Sequence, residues 1–317
     1  MRVVFLGTPQ FAVPTLEALL SAGHAISAVF TQPDRPKGRG KELAESPVKR
    51  AAMFHGLSVL QPERIRRPEN VDLLRKINPD AMVVVGYGQI IPQSIIDIPQ
   101  HGILNVHASL LPKYRGAAPI QWAIANGETV TGVTIMRIDA GLDTGDMLLH
   151  ESTPIGDDET SPELGARLAV SGASLLVRAL ADVESGRSVA VKQNDAEASL
   201  APILKKEDGL IDWSRSASQI YNRLRGFTPW PGIYTFFRGQ TFQIASARVA
   251  SSTPSLTAAT LYPEQKRLFV GCGHSSAVEL LEVQLPGKKR MPVEAFLNGY
   301  HLTKNEVLGV RSEEMQS

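Results

Sequence analysis

Val3-Val4-Phe5-Leu6-Gly7-Thr8-Pro9-Gln10-Phe11-Ala12 is the stretch on which the architecture turns. Four apolar residues in a row read as a buried strand, and Gly7-Thr8-Pro9 forces a tight turn straight after it. Ala12, Leu16, Leu19 and Leu20 then fall on one helical face, with Gly23 placed to cap the helix. The same rhythm returns downstream, with further strands expected at Ile26 to Phe30, Ala81 to Val85, Ile103 to Val106 and Val133 to Ile138. Strands alternating with helices predict an α/β fold with a mainly parallel sheet covered on both faces. In such sheets ligands bind near the carboxyl ends of the strands, so polar residues just after the apolar runs are the first candidates for chemistry.

Thr160-Ser161-Pro162-Glu163 has the spacing of a capping box with proline in the first turn, and predicts a long helix to about Glu184. That helix closes a first domain over residues 1–187. A polar, weakly patterned stretch over 188–207 reads as a linker. From Trp213 onward the texture changes. A short helix at Ala217 to Leu224 precedes β-rich runs at Ile233 to Phe237, Phe242 to Ala245, Leu268 to Val270 and Val278 to Val283. Many short strands with Gly and Pro turns predict a small β-barrel over 208–317.

Bulk properties exclude several classes. The chain has 317 residues, 43% hydrophobic and 21% charged, enough for about two buried cores. Its net charge is +1, so any attraction for nucleic acid must come from local patches. Cys272 is the one cysteine, which excludes an intrachain disulfide or a cysteine zinc cluster and fits a reducing, cytoplasmic setting. The apolar run at the N-terminus is too short for a signal peptide, and no apolar stretch is expected to approach the roughly 20 residues of a membrane span.

Three segments carry candidate chemistry. In Asn105-Val106-His107-Ala108-Ser109-Leu110-Leu111-Pro112, Asn105 and His107 stand at i and i+2 on one strand face. A histidine can exchange a proton near neutral pH, and an amide can donate to a developing oxyanion. The same pair at a strand end can equally be structural. Asp139-Ala140-Gly141-Leu142-Asp143-Thr144-Gly145-Asp146 follows the next strand with three carboxylates. One of them can orient a histidine; otherwise this is a polar loop that weakly binds a cation. Gln32-Pro33-Asp34-Arg35-Pro36-Lys37-Gly38-Arg39-Gly40-Lys41 is a basic loop without strand patterning, suited to phosphates or simply solvated. Lys288-Lys289-Arg290 is a second basic cluster. Gly7-Thr8-Pro9 lacks both the Gly-x-Gly-x-x-Gly and P-loop patterns, which argues against dinucleotides and nucleoside triphosphates.

Asn105-x-His107, Ser109-Leu110-Leu111-Pro112 and Gly141-Leu142-Asp143-Thr144-Gly145 together resemble the folate-dependent formyltransferase family. Gly7-Thr8-Pro9, the basic loop, Arg115-Gly116-Ala117-Ala118-Pro119-Ile120, Ile211-Asp212-Trp213 and Pro229-Trp230-Pro231 extend the likeness to members acting on methionyl-tRNA. The resemblance implies a Rossmann-like catalytic domain followed by an OB-like barrel that helps hold tRNA. It implies transfer of formyl from 10-formyltetrahydrofolate to the amine of initiator methionyl-tRNA, without a metal. Asn105, His107 and Asp143 form the catalytic set, with Asn105 and His107 donating to the oxyanion and Asp143 orienting His107. Ser109, Leu110, Leu111 and Pro112 line the folate pocket, with Gly86, Tyr87 and Gly88 as another wall. Arg35, Lys37, Arg39 and Lys41 meet the tRNA on one side, and Lys288, Lys289, Arg290, Arg223 and Arg225 on the other. A monomer without membrane attachment is expected. Leu200-Ala201-Pro202-Ile203 departs from the family, whose members often carry an aromatic residue and a lysine there. Rival readings are a formyltransferase for a small amine, a folate deformylase, or a catalytically silent RNA-binding module.

Overall fold

The computed structural model describes residues 1–37, 42–251, 256–303 and 305–309. Two compact units emerge from the chain. The first comprises residues 1–119, 130–154 and 163–202, and the second residues 120–129, 155–162 and 203–317. The 188–207 stretch is thus divided at Pro202, its first part belonging to the first unit.

The strands of the first unit are β1 (Arg2–Gly7), β2 (Ala25–Phe30), β3 (Arg35–Lys37), β4 (Glu42–Ala44), β5 (Val59–Leu60), β6 (Ala81–Val85), β7 (Ile103–His107), β8 (Val130–Arg137) and β9 (Met147–Pro154). Helices α1 (Val13–Ser21), α2 (Pro47–Phe54), α3 (Pro68–Ile77) and α4 (Gln93–Ile96) lie between them and α6 (Ser161–Glu184) follows; α5 (Pro119–Ala125), between β7 and β8 in sequence, falls in the second unit from Ile120 on. The main sheet has the order β5-β2-β1-β6-β7-β8-β9. Pairing is parallel from β5 through β7, as the uninterrupted apolar runs demand, and antiparallel for β8 and β9. The first unit is therefore the Rossmann-like α/β layer structure that the alternation predicts.

Both faces are dry. Val4, Leu6, Met82, Val84 and Ile103 pack in one cluster with Val71 and Leu74 of α3 and Ile95 of α4. On the other face α6 lies so close that a Cβ on Gly172 would sit 2.7 Å from Val106. By length and composition α6 is a helix that could cross a bilayer, contrary to the expectation that no stretch comes near. Half of its apolar stretch is buried in the fold, including Leu164, Leu168, Leu176 and Leu180, so it packs as a core helix.

In the second unit α7 (Ala217–Phe227) precedes β10 (Ile233–Phe237), β11 (Gln240–Val249), β12 (Leu261–Glu264), β13 (Arg267–Cys272), β14 (Ser276–Gln284), β15 (Met291–Pro292) and α8 (Val293–Gly299). The antiparallel sheet runs β10-β11-β14-β13-β12, with β15 on β14. Its ends are tied by the segment after α8. Glu306 and Leu308 exchange backbone hydrogen bonds with Leu261 and Ala259, and Gly309 donates to Phe236 on β10. The sheet thereby curls around Phe237, Phe242 and Phe296, which pack ring to ring.

Candidate active site

Asn105 pairs in register with Val84, so its side chain shares the face of the Val84 cluster, and His107 follows two residues on. Both sit beyond the part of that face which α3 and α4 cover. Asn105 is 9% exposed and His107 5%. The His107 ring is held edge to edge between two oxygens. Its Nε2 meets the carbonyl of Tyr114 at 2.9 Å, and its Nδ1 stands 3.7 Å from Oδ2 of Asp143. A neutral imidazole can donate to only one of these acceptors, whereas the protonated ring can serve both. With Nε2 donating to the Tyr114 carbonyl, Nδ1 is a donor only in the protonated ring, and its separation from Asp143 exceeds a hydrogen bond. Among the described residues the Asn105 amide makes no hydrogen bond, which leaves its two N–H groups available to a bound group.

Asp143 reaches this place by an indirect path. Because β8 runs antiparallel to β7, Thr134 lies opposite His107 while Arg137 lies opposite Leu104. The loop after β8 consequently leaves the sheet three residues back along β7 from the histidine, and must fold back to deliver Asp143. The expectation that catalytic polar groups all follow carboxyl strand ends of a parallel sheet misses this reversal. Asp143 adopts φ 52°, a left-handed backbone uncommon for a residue with a Cβ. Its carboxylate accepts the Gly116 amide at 2.9 Å. Gly116 itself has φ 121°, and a Cβ there would meet the Ala201 carbonyl at 2.7 Å, so only glycine fits.

The segment following His107 is braced internally. Thr134, fully buried, donates from Oγ1 to the Ser109 carbonyl at 2.7 Å and accepts the Leu111 amide at 3.1 Å. The Ser109 hydroxyl donates to the Lys113 carbonyl. Ser109 and Leu111 are thus buried supports, while Leu110 and Pro112 are half-buried. At the end of β6, Gly86 and Gly88 are exposed with left-handed backbones. Tyr87 between them turns inward. It is 1% exposed within the α3–α4 cluster, and burial pushes its phenol far above the ordinary range. What Tyr87 offers the loops is its carbonyl, which accepts from Thr8 Oγ1 and Gln32 Nε2 at 3.1 Å each.

Residues 193–201 complete the site. Arg115, 7% exposed, donates from Nε to Gln193 Oε1 and from its terminal nitrogen to Asp195. Tyr114 donates its amide to the Ser199 hydroxyl, and the Arg115 and Ala201 backbones are paired. Local sequence pattern assigns this polar stretch to a linker. The one available signal is Arg115, an arginine inside an otherwise apolar-flanked motif that needs acidic or carbonyl partners somewhere.

The basic loop is built differently from the expectation of no strand structure. β3 and β4 pair as an antiparallel ribbon, Arg35 with Ala44 and Lys37 with Glu42. Asp34 anchors its base, accepting from Lys49 and Gln61; the Lys49 contact first, then Gln61, holds its carboxyl below the usual range. Arg35 is exposed, and Arg39 and Lys41 fall outside the described residues. In the second unit Lys288, Lys289 and Arg290 are exposed on the turn between β14 and β15. Arg223 and Arg225 do not belong with them. Arg225 is buried and caps the carbonyls of Gly156 and Glu159 at 2.9 Å, and Arg223 lies over the Phe227 ring with a hydrogen bond to the Asp208 carbonyl. Helix α7 buries Arg225 as a structural cation and leaves Arg223 half-buried against Phe227. Among the described residues no group of three or more His, Cys, Asp or Glu is arranged to hold a metal ion.

Comparison with known proteins adds the following. The sequence profile described as formyl transferase matches residues 1–180, and that of the formyl transferase C-terminal domain matches residues 203–301. A methionyl-tRNA formyltransferase of Solibacter usitatus is 60% identical over 309 residues, 98% of this chain and 99% of that protein. One from Koribacter versatilis is 60% identical over 310 residues, again 98% and 99%. Among solved structures, WlaRD, a sugar 3N-formyl transferase crystallised with dTDP and 5-N-formyl-THF, superposes with a TM-score of 0.66. At 18% identity, over 91% of this chain and 99% of that one, that likeness speaks to the fold.

Proposed function

The chain belongs to the formyl transferase family, and on that premise we propose that it transfers the formyl group of 10-formyltetrahydrofolate to the free amine of initiator methionyl-tRNA. The observation that supports the reading is local to the first unit: His107 stands 3.7 Å from Asp143 and two residues along β7 from Asn105, in a chain 60% identical to methionyl-tRNA formyltransferases.

The chemistry follows from that arrangement. The methionyl nitrogen attacks the formyl carbon, its new C–N bond replaces the bond to N10, and the proton shed by the amine ends on N10 of the departing tetrahydrofolate. Negative charge grows on the formyl oxygen as the amine adds. Asn105 donates to that oxygen through an amide with no competing partner among the described residues, and His107, as the protonated ring, donates through Nδ1. A single well-placed donor of this kind lowers the barrier by roughly 3 to 4 kcal/mol. Asp143, 18% exposed at its side chain, balances the charge on the imidazole and is placed to pass the proton on. The folate sits against Leu110, Pro112, Gly86 and Gly88, with the two exposed glycines offering backbone to a heterocycle edge. Ser109, Leu111 and Tyr87 shape that wall from behind. For the tRNA, Arg35 and the neighbouring Lys37, Arg39 and Lys41 of the first unit, and Lys288, Lys289 and Arg290 of the second, supply cations for its phosphates. The reading further takes the enzyme to be a cytoplasmic monomer.

Single-turnover transfer of labelled formyl to methionyl-tRNA, compared between the wild type and His107→Ala, tests this. Rapid transfer that the variant largely loses is the expected result. Folate consumption without transfer to methionyl-tRNA would replace the proposal with a small-amine formyltransferase or a deformylase.

A further inference from the structure

We infer that Gln193 is a positioning residue for the reaction, setting the Asp143 carboxylate against His107 from outside the recognised motifs. The inference rests on the proposed transfer reaction for its kinetic arm only. A glutamine side chain has two N–H donors and one carbonyl acceptor within hydrogen-bonding reach. Gln193 uses all three inside the first unit. Its Nε2 donates to the carbonyl of Asp143 at 2.8 Å and to that of Gly145 at 2.7 Å, and its Oε1 accepts Arg115 Nε at 2.9 Å. The side chain is buried, with the residue 5% exposed.

The three partners are not arbitrary. Asp143 holds an unfavourable positive φ, a state that persists only where surroundings over-determine it. Its carboxylate, 3.7 Å from the imidazole, is tethered from the other side by Gly116 N–H. Arg115 lies between Tyr114, whose carbonyl receives His107 Nε2, and Gly116. One amide therefore ties the backbone beneath Asp143 to the segment that orients His107. Without it, the Gly145 carbonyl and Arg115 Nε lose buried partners and the Asp143 carbonyl a part-buried one, while Arg115 keeps its contact to Asp195. The loop then relaxes, and Asp143 drifts from the ring. A displacement of about 1 Å in such a constellation can cost about a hundredfold in rate.

Two variants separate this from a general packing role. Gln193→Met keeps the length and volume but removes every hydrogen bond. Gln193→Glu keeps the acceptor for Arg115 and removes both donors to the loop. Both are expected to lower the single-turnover transfer rate at saturating substrates at least tenfold, with KM for methionyl-tRNA and for 10-formyltetrahydrofolate held within twofold. In an Asp143→Asn background the same substitutions should add less than a twofold loss, because a residue acting through Asp143 has nothing left to act on. The second arm needs no activity. The Gly116 amide, which donates to Asp143, should exchange with deuterium at least tenfold faster in Gln193→Met, and likewise in Asp143→Ala. Unchanged Gly116 exchange, or losses that multiply with Asp143→Asn, would overturn the inference. A wild type that exchanges as expected yet transfers no formyl to methionyl-tRNA would overturn the proposed function and leave Gln193 tested by the exchange arm.

Discussion

His107 and Asp143 approach through Nδ1 and Oδ2 at 3.7 Å, while the opposite ring nitrogen is fixed by the Tyr114 carbonyl at 2.9 Å. The pair is therefore oriented from one side and adjustable on the other. Asp143→Asn retains an oxygen for the Gly116 amide but withdraws the charge. It should lower the transfer rate by about 10²-fold or more, the usual range for a lost acid–base partner. The denaturant midpoint should hardly move. A midpoint that falls as steeply as the rate would mean the carboxylate serves the fold instead.

Gly116→Ala tests the close approach of the 201 segment. A left-handed φ of 121° and a Cβ 2.7 Å from the Ala201 carbonyl require the backbone to shift. The expected cost is about 1–3 kcal/mol of stability, read from urea unfolding. Loss of transfer should accompany it, since Gly116 also tethers Asp143. A fully stable Gly116→Ala would show that the segment is free to move away.

Glu279 of β14 is buried and receives Arg267 and Arg248 from the flanking strands at 2.7–2.9 Å. The Arg267 contact, with Arg248 in support, draws its pKa from 4.5 down to about 2. A carboxyl whose folded pKa lies below its unfolded one stabilises the fold above the unfolded value. That stabilisation is lost as pH falls from about 4.5 towards 2. Glu279→Gln should thus be less stable than the wild type at pH 6, with the difference shrinking steadily by pH 3. A gap independent of pH would rule the ion pairs out as its source.

Cys272 is 2% exposed, and burial raises its thiol to about 12. The native protein at pH 8 should consume almost no thiol reagent, and one equivalent after unfolding in guanidinium. Rapid native labelling would mean that the sheet around β13 opens readily.

Lys288, Lys289 and Arg290 are exposed on one turn. Replacing all three with alanine should flatten the dependence of tRNA affinity on salt by about one unit of slope for each phosphate these cations neutralise. Replacing the buried Arg225 should instead lower stability, because two carbonyls lose their donor. An unchanged salt slope in the triple variant would remove this turn from the tRNA surface.

Much of the fold is legible in local pattern. Val3 to Leu6, Ala81 to Val85 and Ile103 to Val106 are uninterrupted apolar runs, and each is a central strand. Asn105 and His107 stand out because a two-residue spacing puts both on one strand face. The direction of β8 does not, since a strand's residues do not encode which way its neighbour runs. The partnership of Asp143 with Gly116 is hidden for the same reason. Arg225 reads as surface charge because sequence reports the cation and not the carbonyls of Gly156 and Glu159 that surround it. Gln193 vanishes into a polar stretch, where a single buried amide has no periodicity to mark it.

The bracing of this site by residues 193–201 bears on how it comes into being. Its side-chain ties to Gly145, Asp143, Arg115 and Tyr114 join positions 48 to 85 apart in sequence, so each closes a long loop and forms late compared with the sheet. A chain emerging residue by residue can complete β1 to β9 with Asn105, His107 and Asp143 all present and still be inert. Activity would switch on only when the stretch to Ala201 docks. For the same reason a fragment cut at residue 187 should keep its sheet and lose its catalysis, and brief detachment of that stretch would silence the mature enzyme without unfolding it.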